Sequence, residues 1–267
     1  MKKYLSFFRL RFSMGLQYRT AEIAGMTTQF AWGIMEILVF RAFFAADPAA
    51  FPMSFEATAS YIWLQQAFLA IFAAWLLEPE IFDCIVDGNV AYELCRPIRI
   101  YDMWFARSMA SRLSKVALRC FPIIAVALLL PRPYGICLPP SSRHFFLFLI
   151  TLALSFLVSV AFYMWIYVLT FYTISPMGLR IMVASVVEFF SGGGIPLPFF
   201  PEKVRRVLEL LPFASMQNVP LRVYSGSMSD AQMKSAIALQ VFWLTVLVVL
   251  GRAMCRTAER RVTLQGG

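Results

Sequence analysis

Residues 191–213 read SGGGIPLPFFPEKVRRVLELLPF. Three consecutive glycines (Gly192, Gly193, Gly194) and four prolines (Pro196, Pro198, Pro201, Pro212) interrupt a chain that is 60% hydrophobic and only 15% charged. A soluble domain is nearer half apolar and a quarter charged, so this is the composition of a polytopic membrane protein. In hydrocarbon each unpaired N–H or C=O costs several kcal/mol, and irregular backbone survives only inside protein or beside water. The glycines release one helix, and the prolines forbid another before Glu202. From Pro201 a short amphipathic helix is expected, with Phe200, Val204, Leu208 and Leu211 on one side and Lys203, Arg206 and Glu209 on the other. A plain loop needs no such helix. The segment therefore reads as a re-entrant hairpin that dips into the outer leaflet, hinged at the glycines.

Apolar runs of spanning length lie on both sides of this break. They run from about Ile23 to Phe44, Ala57 to Leu77, Met103 to Leu130 and Phe145 to Tyr172, then from Arg180 to the break at 191, and from Ala236 to Gly251. The fold class is thus all-α, one transmembrane unit over 1–267 with six membrane helices, the fifth of them broken. Residues 1–20 form an amphipathic helix, with Leu5, Phe8, Phe12 and Leu16 opposite Lys2, Arg9 and Gln17, expected to lie flat on an anionic membrane surface. Arg9 and Arg11 interrupt any signal-peptide core.

The net charge of +9 gathers beside span ends and needs no nucleic acid to explain it. Basic residues in the amino-terminal segment, after the second span and in the tail (Arg252, Arg256, Arg260, Arg261) place both termini in the cytoplasm. One stretch resists that count. Lys203, Arg205, Arg206, Arg222 and Lys234 fall on the external side in residues 191–234.

The cysteines (Cys84, Cys95, Cys120, Cys137, Cys255) are scattered, with no CxxC and a single histidine, His144. They read as ordinary thiols, and no metal site is expected. An intramembrane enzyme lacks its motifs here: there is no GxSG and no close pair of carboxylates within a span. A stand-alone ion-driven carrier is usually built from repeats with breaks near the midplane, whereas this break stands once and near one surface.

Residues 78–102 change character. Glu78, Glu80, Asp83 and Asp87 lead to the turn signal Asp87-Gly88, and Arg96-Pro97 ends the helical stretch beyond it, so Asn89–Arg96 reads as one short exposed cytosolic helix. Within the third span Ser108, Arg112, Lys115 and Arg119 share a helix face. Glu36 and Glu188 are the expected counter-charges at that depth. Two readings stand for this face: ion pairs bracing the helices, or a basic vestibule that admits an anionic or amphipathic substrate. Glu36, Arg119 and Glu188 are the candidate pathway residues.

Six spans, a flat basic amino-terminal helix and a short helix between spans two and three resemble the type-2 permeases of ABC transporters. The stretch GGGIPLPFFPEKVRRVLELLPFASMQNVPLRVYSG (192–226) is similar to the external hairpin of one subgroup, and DGNVAYELCRPI (87–98) to its cytosolic loop. The resemblance implies the permease subunit of an ATP-driven exporter in the bacterial inner (plasma) membrane, paired with a second permease, identical or homologous. It implies that Asp87, Gly88, Asn89, Tyr92, Glu93 and Arg96 dock on a separate ATPase. It also implies that Gly192, Gly193, Gly194, Pro196, Pro198 and Pro201 form an external gate. No G-x-x-x-x-G-K-[ST] occurs, so ATP and Mg belong to the partner chain and this one carries no cofactor. Drugs, lipids, peptides and polysaccharide precursors all suit such a path.

Overall fold

A computed structural model of the chain describes residues 2–17, 19–173 and 175–260, and among them every regular element is helical. Arg261 lies outside the described residues. The chain opens with α1 (Lys2–Gly15) and α2 (Arg19–Ala46). At 28 residues, α2 is about 42 Å long. It stops where Asp47 accepts from the amides of Ala49 and Ala50 and caps a short turn at Pro48–Ala50. The chain re-enters through α3 (Phe55–Ala67), capped by Ser54, and α4 (Leu69–Phe72). The expected second span is therefore broken at Phe68 and ends at Phe72 rather than Leu77. Nearly every residue of α3 is buried, so it is a core helix enclosed by its neighbours.

Helix α4 ends in mid-core, which leaves carbonyls without intrahelical partners. Arg112, only 2% exposed, supplies them. Its guanidinium donates to the carbonyls of Ala70 (2.9 Å), Ile71 (3.1 Å), Ala73 (3.1 Å) and Leu76 (3.0 Å). It also lies over the ring of Tyr163 at 4.2 Å. Arg112 thus comes from α7 (Ile100–Leu129) as the cap of a different helix.

Between α4 and α7 the chain forms α5 (Pro79–Val86) and α6 (Val90–Leu94), joined through Gly88 at φ +73°. Asn89–Arg96 was expected as one helix. The helix is shorter, and a second helix occupies the stretch that reads in the sequence as an acidic approach. Pro79 starts that helix at a position where its missing N–H costs nothing.

Helix α8 (Ser142–Thr170) runs through the middle of the molecule against α4, α7 and α13 (Asp230–Glu259). Among the described residues three helices are long and apolar enough to cross a membrane: Glu22–Ala46, Ser142–Thr170 and Asp230–Glu259. They correspond to the expected first, fourth and last spans. Helix α7 has the length, with 30 residues, but carries four cations in its first two-thirds. Helix α9 (Pro176–Phe190) has only 15 residues and starts four residues before the expected Arg180.

After α9 come α10 (Glu202–Leu210), α11 (Pro212–Met216) and α12 (Asn218–Tyr224). Helix α10 is the amphipathic helix expected after Pro201. The other two were not expected, and they are the better buried. Every residue of α12 is buried, packed on α8 and α3. Gln240 of α13, fully buried, donates to the carbonyls of Thr151 (3.1 Å) and Ser215 (3.0 Å), and Ser155 of α8 donates to the same Ser215 carbonyl (2.8 Å). Helix α1 also packs on the body, against α7, with Tyr4 and Phe7 turned inward and Leu5 left exposed. Of the expected apolar face, Phe8, Phe12 and Leu16 are half-buried and Leu5 alone is exposed.

Candidate functional site

The glycine break is not loose. Ser191, Gly192 and Gly193 are buried, and Gly192 has φ +86°, a conformation glycine adopts without strain. Gln65 donates to the Gly193 carbonyl at 2.7 Å, and Tyr61 and Gln217 donate to the Gly192 carbonyl at 3.3 Å each. Two side chains of α3 and one from the α11–α12 corner thus supply the partners that the interrupted helix cannot. Pro196 and Pro198 are buried behind it, while Gly194 and Pro201 are exposed.

Beside the break lies a cleft of about 1010 Å³ between α2, α3, α4 and the residues after α9. Glu36, Arg119 and Glu188, far apart in sequence, all line it, together with Gly193 and Gly194. Its walls are otherwise apolar and aromatic, with Trp32, Phe43 and Trp75 on the exposed side. Gln29, Gln65 and Gln66 add three amides.

The charges do not pair as the sequence suggests. Arg119 is held by Glu22 of α2, and neither Glu36 nor Glu188 makes an ion pair among the described residues. Gly25, facing Arg119 across this contact, leaves room for the guanidinium that any side chain would fill. Arg107 is held by Glu78 (3.6 Å) and Glu80. Arg112 is consumed as a helix cap. Of the cationic face of α7, Arg119 alone is ion-paired among the described residues, while Arg112 braces the core through neutral carbonyls. Lys115 makes no ion pair among the described residues and does not line the cleft.

The second candidate region is the α5–α6 loop. Asp87, Gly88, Asn89, Tyr92 and Arg96 are exposed there, Tyr92 at 75%, with Val86 (58%) and Leu94 beside them. Glu93 differs. It is turned inward, where its carboxylate accepts from Trp104 Nε1 of α7 at 2.6 Å. Glu80 joins Arg11 of α1 (3.5 Å) and Arg107 of α7, and the Arg99 amide donates to Tyr4 at 3.3 Å. The loop thus presents an apolar tip on a base tied to α1 and α7.

Sequence reasoning missed Glu22 because the first span was drawn from Ile23. It passed over Gln65 and Gln66 because the second span has no charge; two adjacent amides in an apolar run were the available signal. His144 meets Ser141 (2.8 Å), while Cys137 lies 3.7 Å from Glu56, so the two do not pair. Burial pushes the Cys84 thiol up to about 11, with the Glu93 charge adding to it. At pH 8 only about one Cys84 in a thousand is thiolate. Alkylation of Cys84 by iodoacetamide, followed by peptide mass spectrometry, should therefore rise about tenfold per pH unit up to that value. A rate equal to that of the unfolded chain would contradict this.

A family model described as ABC-2 family transporter protein matches residues 30–266. No curated protein matches the chain.

Proposed function

We propose, since the chain belongs to the ABC-2 transporter family, that it is the membrane-spanning subunit of an ATP-driven exporter. It works as a dimer with an identical or homologous permease and with separate ATPase subunits that carry ATP and Mg. In this reading α2, α3–α4, α7, α8, α9 and α13 are the six spans, and both termini face the cytoplasm of a bacterial inner membrane. Residues 191–229 return from the outer side as the re-entrant gate. The external basic residues become tolerable because Arg205 and Arg222 both meet Glu209 and Arg206 meets Glu202.

The observation that carries the proposal is the exposed apolar tip of the α5–α6 loop. Val86, Tyr92 and Leu94 form an uncovered patch at the end of a braced element, as a docking knob requires. Force applied there reaches α1 through Glu80–Arg11 and α7 through Glu80–Arg107 and Glu93–Trp104. ATP binding by the docked subunits would then favour one of two access states through contacts made in that state alone.

The test uses the intact complex purified from its own membrane. ATP hydrolysis should co-elute with the chain, and exposed Cys95, next to the patch, should be protected from maleimide while the ATPase is bound. Tyr92→Ala should weaken that association about tenfold or more, as expected for an aromatic anchor, with the chain's own elution profile unchanged. A complex that transports without any ATPase would refute the assignment.

A further inference from the structure

We propose that the cleft beside the glycine break binds an organic cation with an apolar or aromatic body and N–H donors, such as a protonated amine. This deepens the reading of the cleft as the transport path and rests on it. A face rich in arginine suggests a site for anions, but the structure leaves the opposite charge unpaired. Of the titratable residues lining the cleft, Arg119 is already held by Glu22, whereas Glu36 and Glu188 have no cationic partner among the described residues.

The hydrogen-bonding groups point the same way independently. Gln29 donates its amide nitrogen to the Gln66 carbonyl (3.1 Å), and Gln65 donates to the Gly193 carbonyl (2.7 Å). A carbonyl can only accept, so both side-chain orientations are fixed and each leaves its oxygen behind. Gln29 Oε1, Gln65 Oε1 and Glu36 Oε1 are buried and find no donor among the described residues. All three orphaned atoms on the cleft's lining residues are acceptors. Buried acceptors without donors are uncommon, and a lining whose unpaired polar atoms are all acceptors, with two carboxylates among them, suits an N–H-bearing cation. Trp32, Phe43 and Trp75 offer ring faces for its apolar body and for cation–π contact. A volume of about 1010 Å³ suits a molecule of drug size.

The experiment measures binding without transport. The full chain, in nanodiscs of zwitterionic lipid, is titrated with rhodamine 6G as cation and with 8-anilinonaphthalene-1-sulfonate as anion, read by fluorescence anisotropy. Saturable binding of the cation is expected, with weak or no saturable binding of the anion. The double variant Glu36→Gln, Glu188→Gln, which keeps the shape, should weaken cation binding by about tenfold or more. Gly194→Trp provides a check that leaves the charges alone. Nothing lies within 4 Å of a Cβ built there, and Gly194 lines the cleft, so a bulky indole at this position should abolish binding. Preference for the anion, or cation binding indifferent to both variants, would overturn the proposal. No ATPase takes part, so a negative result here leaves the subunit assignment standing, and failure of ATPase co-elution leaves this measurement valid.

Discussion

Arg112→Met is expected to be the most destabilising single change in the chain, costing about 3–5 kcal/mol. The guanidinium serves four carbonyls at the end of α4 and is 2% exposed. Methionine fills similar volume and can still pack on Tyr163, but it leaves a cluster of buried acceptors with nothing to accept from. Arg112→Lys isolates the cause. Lysine keeps the positive charge, yet its compact ammonium cannot reproduce a planar fork that reaches carbonyls from Ala70 to Leu76. It should recover less than half of the loss. Thermal unfolding in detergent, read as the fraction remaining monodisperse, is the measurement. If lysine restores wild-type behaviour, charge alone matters and the capping account fails.

Gln65→Leu should have the next largest effect, about 1–3 kcal/mol, because it leaves the Gly193 carbonyl unpaired in a buried position. Tyr61→Phe should cost less, since the Gly192 carbonyl keeps its bond from Gln217. Hydrogen exchange localises the effect. The segment 191–195 should lose protection in Gln65→Leu while α8 and α13 keep theirs. The sequence reading treats the glycines as a free hinge; these bonds make it a latched one. Unchanged exchange at the break would show that the latch is not stabilising.

The first, fourth and last spans were legible because their apolar runs are long. The break was legible because three glycines and the prolines admit no other reading. The groups that close the break were not, since Gln65 stands 128 residues from Gly193 and no local pattern links them. Helices α11 and α12 were hidden by Pro212 and Pro220. Each falls in a first turn, where a missing N–H is harmless, so residues that read as loop punctuation instead open helices. On α7 the spacing of four, three and four revealed a cationic face. The partners eluded charge matching, because Arg112 chose carbonyls and Arg119 chose a glutamate just outside the assigned span.

The corner between α11 and α12 sets an order of biogenesis. Its Ser215 carbonyl is met by Ser155 and by Gln240, and Gln240 is made 25 residues later than the serine it serves. While the ribosome is still short of α13, the corner has one of its two donors and an open flank where α13 will pack. Helix α11, which packs on both α8 and α13, therefore stays incompletely held until the last long helix arrives to close over it, whereas α12 already has α8 and α3 to pack on; truncation of α13 should leave residues 212–216 prey to quality-control proteases.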